Sequence, residues 1–169
     1  MRTFVIAAVA CLISLVSTDL SAQCASGDCM NGQGTMKLRD GRHYTGQWKD
    51  GKPHGEGTLT FPDKAQYKGR FVNGRMEGQA TMRYPDGKVY TGTFTDEKPN
   101  GRGVMTLRNG ARYDGEWKDG KPHGSGMMTN PDGSVQRGRW QDGEYKGEQK
   151  DPGDKREGDK KKKKLKLKL

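Results

Sequence analysis

Three groups of residues in this sequence have types and spacings that could do chemistry. His54 and His123 each sit in a KPHG stretch running into Gly-x-Gly, a mixture suited to a general base, a metal ligand or a phosphate cradle. Cys24 and Cys29 form a close pair in CASGDC. Lys160, Lys161, Lys162, Lys163, Lys164, Lys166 and Lys168 crowd into KKKKKLKLKL at residues 160–169, a pattern suited to anionic surfaces. What each group can do depends on the element that holds it.

The histidines belong to a repeat. YTGQWKDGKPHGEGTLTF at residues 44–61 returns as YDGEWKDGKPHGSGMMTN at residues 113–130. Tyr44, Tyr67, Tyr90, Tyr113 and Gln136 stand 23 residues apart without an insertion. Gly46, Gly69, Gly92, Gly115 and Gly138 form a second column, and Trp48, Phe71, Phe94, Trp117 and Trp140 a third. Small pairs follow in each unit: Gly55 and Gly57, Gly78 and Ala80, Gly101 and Gly103, Gly124 and Gly126. Gly32 and Gly34 supply a half-unit ahead of them, so the array runs from about Gly32 to about Gly147 and ends in atypical units, as a stacked array requires.

Each unit reads as a β-hairpin. Tyr44, Gly46 and Trp48 alternate with Thr45 and Gln47, the period of a strand. Asp50-Gly51, Asn73-Gly74, Asp119-Gly120 and Asp142-Gly143 are tight-turn signals, and Pro-Asp-Gly turns lead into the next unit. The predicted fold is all-β: a single-layered, elongated, twisted antiparallel sheet of about ten strands, on the order of 45 Å long. Gly-x-Gly strands leave bare backbone over which a neighbouring Tyr or Trp can lie. Ala80 departs from that column beside Phe71 and Phe94, a smaller ring next to one extra methyl.

This geometry dismantles the catalytic reading. His54 and His123 occupy a column that also holds Glu77, Asn100 and Lys146, and lie about 29 Å apart, too far to share a metal. No Ser-His-Asp order, paired carboxylates or Walker-type lysine accompanies them, and the Gly-x-Gly pieces lack a following helix. The expectation is a non-enzyme without cofactor or metal. With 30% hydrophobic and 31% charged residues, a two-layer core is excluded and only stacking buries a shared strip.

At these residues, Tyr-x-Gly-x-Trp/Phe, a turn, then Gly-x-Gly, the chain resembles the MORN (membrane occupation and recognition nexus) repeat family over about residues 32–147. The resemblance implies stacked hairpins in an elongated, curved sheet with a groove. It also implies phospholipid binding, membrane association, or protein scaffolding and dimerisation. The groove contacts would be Tyr44, Trp48, Tyr67, Phe71, Tyr90, Phe94, Tyr113, Trp117 and Trp140. Two positions depart from the pattern: Glu97, where a turn glycine is expected, predicts a looser hairpin tip, and Gln136 marks the C-terminal cap.

The ends add the remaining expectations. Arg2, an apolar stretch over residues 4–17 and LSA ending at Ala22 read as an export signal over residues 1–22, in preference to an uncleaved anchor. Outside the cytosol, Cys24 and Cys29 in segment 23–31 are expected as a disulfide worth about 2 kcal/mol; a metal pair is the poorer reading. The array occupies 32–148 and a disordered basic tail 149–169. From Lys146 onward there are eleven basic and five acidic residues, within a chain of net charge +10. That tail is either a solubilising extension or an attachment to anionic phospholipid, with Leu165, Leu167 and Leu169 at the interface. Nucleic acid would draw the same charge, but export and the lack of interleaved aromatics argue against it. The expected role is that of an exported binding or scaffold protein, secreted, periplasmic or attached to the cell envelope. Its partner would be a protein or a phospholipid surface, with homodimerisation through the open sheet edges.

Overall fold

The computed structural model describes residues 23–148; the expected export signal over residues 1–22, the expected cleavage point at Ala22 and the basic tail with Lys160–Lys168 lie outside the described residues. Alternating side chains and closely spaced turns produce twelve strands among them: β1 Gln23–Gly27, β2 Gln33–Lys37, β3 His43–Lys49, β4 Lys52–Thr60, β5 Gln66–Val72, β6 Arg75–Arg83, β7 Val89–Thr95, β8 Lys98–Thr106, β9 Arg112–Lys118, β10 Lys121–Thr129, β11 Val135–Gln141 and β12 Glu144–Gly147. They form one open antiparallel sheet in chain order. The sheet thus extends beyond the ten strands expected. The cysteine segment contributes β1, which pairs with β2, and Cys24 is bonded to Cys29 across a Cα–Cα distance of 5.9 Å.

Two kinds of turn alternate along the ribbon. The hairpin tips place both central residues at positive φ, as in Asp50 (50°) with Gly51 (69°) and Asn73 (50°) with Gly74 (87°), the type I′ geometry that matches strand twist. Asp96 (49°) and Glu97 (63°) adopt the same turn, and Thr95 still pairs with Lys98. The tip at Glu97 is therefore not looser. A non-glycine residue is held in the left-handed region, at a local cost. Tips also lock onto the unit before: the Gly74, Gly120 and Gly143 N–H groups donate to the carbonyls of Pro53, Pro99 and Pro122 at 2.8, 2.9 and 2.9 Å.

Every tip hairpin carries a bulge. Gly46 pairs with Gly57 and Trp48 with Pro53, so His54, Gly55 and Glu56 face the single residue Gln47. The same shift recurs between β5 and β6, β7 and β8, and β9 and β10. Gly55, Gly78, Gly101 and Gly124 occupy the bulge with φ of 62°, 75°, 81° and 71°, which is why the first small residue of each pair is glycine. Only the second small residue lies beneath a ring. A Cβ on Gly57, Gly103 or Gly126 would run into the phenol of Tyr44, Tyr90 or Tyr113.

Two substitutions test this division of labour. Gly57→Val is expected to lower stability by about 1–3 kcal/mol because the Tyr44 ring must leave its seat. Glu97→Gly is expected to raise it by about 1 kcal/mol by relieving the left-handed residue. Thermal melts of both against the parent check the signs; an unchanged Gly57→Val melt contradicts the ring seat.

Candidate functional site

The nine aromatics proposed as groove contacts are placed by the structure in the core. Tyr44, Tyr67 and Tyr90 are 0% exposed, Tyr113 is 1%, and Trp48, Phe71, Phe94, Trp117 and Trp140 lie between 1% and 7%. Their rings meet edge to face in an unbroken series from Trp48 to Trp140, with centroids 4.9–5.3 Å apart. A ring whose faces and edges are used by its neighbours has no surface left for a ligand. The sequence shows which residues share a face, but not that the rings close over one another.

Each phenol also mends the bulge beside it. The bulge removes the carbonyl at the fourth position of the unit from the cross-strand ladder. Tyr44, Tyr67, Tyr90 and Tyr113 donate their hydroxyls to the carbonyls of Gln47, Arg70, Thr93 and Glu116 at 2.9, 2.9, 3.1 and 3.1 Å. Burial pushes the Tyr44 and Tyr113 phenols up to about 12, helped by the nearby carboxylates of Glu56 at Tyr44 and of Glu116 and Asp114 at Tyr113. Tyr67 and Tyr90 are raised as well, again mainly by burial. These hydroxyls stay protonated at neutral pH and serve the backbone. Trp48 and Trp117 reach the preceding unit, donating Nε1–H to the Gly34 and Gly103 carbonyls at 3.0 Å each. The indole N–H of Trp140, in the atypical unit that ends the array, is buried without such a partner.

The histidines stand apart from one another. His43 is exposed, and His54 and His123 are half-buried within β4 and β10, beside the bulge glycines. The nearest acidic group to His123 Nδ1 is Asp142 Oδ1 at 3.7 Å. Among the described residues, no three His, Cys, Asp or Glu are grouped to hold a metal.

The opposite face is the one left open. Thr45, Glu56, Lys68, Arg70, Thr91, Arg102, Asp114, Glu116, Arg137 and Arg139 are all exposed on it, alternating along the strands with the buried columns. Two shallow hollows lie there. One, of about 510 Å³, includes Glu56, Lys68, Gln79 and Thr91; the other, of about 660 Å³, includes Arg102, Asp114, Ser125 and Arg137. The alternation of Thr45 and Gln47 with the aromatic column is the one sequence signal of this face.

A single supersecondary unit stacked in register, with one face closed on itself and the other presented to solvent, defines a repeat array. Residues 44–66, 67–89, 90–112 and 113–135 match the MORN repeat family in four consecutive copies, and the chain belongs to that family. Its class is a repeat-based binding or scaffold protein, in a family that is in general non-catalytic. No curated protein matches the chain. Among solved structures it is similar to the TCP domain of SAS-4 (dCPAP) of Drosophila melanogaster, solved in complex with a proline-rich motif of Ana2 (dSTIL). That likeness has 11% identity and a TM-score of 0.48, covers 81% of this chain and 72% of that one, and is too slight for anything to be carried over.

The buried phenols make the fold sensitive to alkali. A folded-state pKa above the unfolded value near 10 means that stability is intact below pH 10 and falls as pH rises towards about 12. In an ultraviolet titration of phenolate, the four column tyrosines are expected to ionise together with loss of the sheet signal in circular dichroism. Ionisation of all tyrosines near pH 10 with the sheet intact contradicts this.

Proposed function

We propose that this chain is an exported, non-catalytic binding or scaffold protein whose contact surface is the polar face of the sheet. The observation that carries the reading is the contrast in exposure: the aromatic columns are closed by ring contacts, while the charged and threonine columns opposite are open and hollowed. Export is supported by the apolar stretch over residues 4–17 with LSA ending at Ala22, and by the Cys24–Cys29 bond, which suits an oxidising compartment. The open edges at β1 and β12 offer strand pairing to a partner or to another copy.

A second reading rests on the basic tail. Seven lysines and three leucines over residues 160–169 suit an anionic phospholipid surface, at about 1 kcal/mol for each lysine near the membrane. The tail would then tether the array and leave the polar face free.

Co-sedimentation with vesicles of phosphatidylserine and phosphatidylcholine separates the readings. Tail-mediated attachment predicts that the chain beginning at Gln23 sediments with anionic vesicles, that salt weakens this, and that removal of residues 160–169 abolishes it. If neither protein sediments, the phospholipid reading fails and a protein partner remains. Intact mass of the protein recovered outside the cytoplasm tests export. The expected species starts at Gln23 with Cys24 and Cys29 oxidised; a chain still carrying residues 1–22 contradicts it.

A further inference from the structure

Asparagine or aspartate precedes glycine ten times between Gln23 and Glu148. In that dipeptide the glycine nitrogen can attack the side-chain carbonyl of the residue before it, because glycine has no Cβ to hinder the approach. A glycine N–H that already donates to a carbonyl is held out of the reaction, since attack costs that hydrogen bond. Eight of the ten glycines are held in this way. Their N–H groups close the hairpin tips and the turns between units at 2.8–3.1 Å, Gly74 on the Pro53 carbonyl and Gly110 on the Leu107 carbonyl among them. The ninth, Gly101, follows the half-buried Asn100 inside β8, where pairing with β7 and β9 fixes the backbone.

Gly32 is the exception. It follows Asn31 just ahead of β2, and its N–H has no acceptor among the described residues. The groups around that N–H are fixed. The Asn31 N–H donates to Asp28 Oδ1 at 3.0 Å, the Gly32 carbonyl accepts from the Trp48 N–H at 2.7 Å, and the Met30 carbonyl accepts from the Gly51 N–H at 3.1 Å. Asn31 is exposed, and its Oδ1 accepts from the Asp50 N–H at 3.0 Å. That bond draws electron density from the side-chain carbonyl and is in place to hold the charge that builds on Oδ1 during attack. Asn109 Oδ1 accepts a similar bond from the Ala111 N–H at 3.1 Å, so the two sites differ in the freedom of the glycine N–H.

We infer that Asn31 is a self-modification site of this chain. The Gly32 nitrogen forms a bond to Asn31 Cγ, the bond from Cγ to the side-chain nitrogen breaks, and ammonia leaves with the proton that Gly32 carried. Water then opens the cyclic imide at either carbonyl, giving aspartate or isoaspartate. The reaction takes up water, releases ammonia and needs no oxidant.

The isoaspartate product acts on the fold. It runs the main chain through Cβ and so adds an atom to the backbone between Met30 and Gly32. The carbonyls of those two residues grip the first hairpin at Gly51 and Trp48, with a spacing that the longer backbone does not keep. Conversion therefore loosens the N-terminal end of the array. Aspartate keeps both the spacing and an acceptor oxygen for the Asp50 N–H.

Ageing of the folded chain beginning at Gln23 tests the inference. After incubation in mildly alkaline buffer, peptide mass mapping is expected to find Asn31 converted first. Asn73 and Asn109 are expected to lag by about tenfold or more, the factor that one hydrogen bond of ordinary net strength supplies. In urea, where no N–H is held, the asparagines before glycine are expected to convert at similar rates. Asn31→Gln, whose side chain would have to close a larger ring, is expected to stay unconverted. Hydrogen exchange at the Trp48 and Gly51 amides is expected to quicken in the isoaspartate form and to keep the parent rate in Asn31→Asp. Conversion of Asn73 or Asn109 as fast as Asn31 overturns the inference. So does an intact Asn31 in folded protein after the unfolded chain has reacted. Unchanged exchange at Trp48 and Gly51 in the isoaspartate form overturns the effect on the fold.

Discussion

The structure depends on a phenol ring laid over backbone that has no side chain. A sheet ordinarily buries its apolar face against a second layer. Among the described residues there is no second layer, and rings standing on one strand are lowered onto the glycines of the next until they cover each other. Gly57 beneath Tyr44 and Gly103 beneath Tyr90 are the space that makes this possible. The tyrosine hydroxyl then finishes the job by taking up the carbonyl that the bulge released, as Tyr67 does for Arg70. Phenol, glycine and bulge are one device, and an unpaired carbonyl beside a buried ring would cost about 1–3 kcal/mol in each unit.

Stacking needs ends. At the start, Cys29 is only 5% exposed and packs into the ring cluster, with its bond to Cys24 holding β1 over the first unit. At the other end Tyr145 arrives from β12 and tilts against Trp140 at 5.4 Å, its hydroxyl bonded to the Arg137 carbonyl at 3.0 Å. A disulfide and a late tyrosine thus replace the neighbours that terminal units lack. Ala80 shows the tolerance of the interior. It pairs with both Gly69 and Gly92, and Tyr67 above it still reaches Arg70, flanked by Phe71 and Phe94 rather than by indoles.

Much of this was legible because a period of 23 residues cannot hide. The columns, the hairpins and the type I′ tips at Asp50-Gly51 and Asn73-Gly74 follow from residue types at fixed offsets, while the pairing of Cys24 with Cys29 follows from their closeness and an expected oxidising compartment. What escaped needs three dimensions. Gly55 and Gly57 look alike in sequence, yet one turns a bulge at positive φ and the other seats a ring. Glu97 reads as a broken turn, yet it adopts the type I′ conformation, and Asp96 beside it is held by Arg75 and Glu77 of the preceding unit. The aromatic columns read as a groove because sequence says which residues share a face and not whether that face closes.

The aromatic face is interior, which leaves the polar face as the contact surface we propose. Tryptophan fluorescence tests it without any substitution, because all three tryptophans, Trp48, Trp117 and Trp140, lie in the ring series. Quenching of the native protein by acrylamide is predicted to be weak and to rise to that of free indole only on unfolding. Efficient quenching while the sheet signal remains native would place the rings in solvent and return the contact surface to the aromatic face.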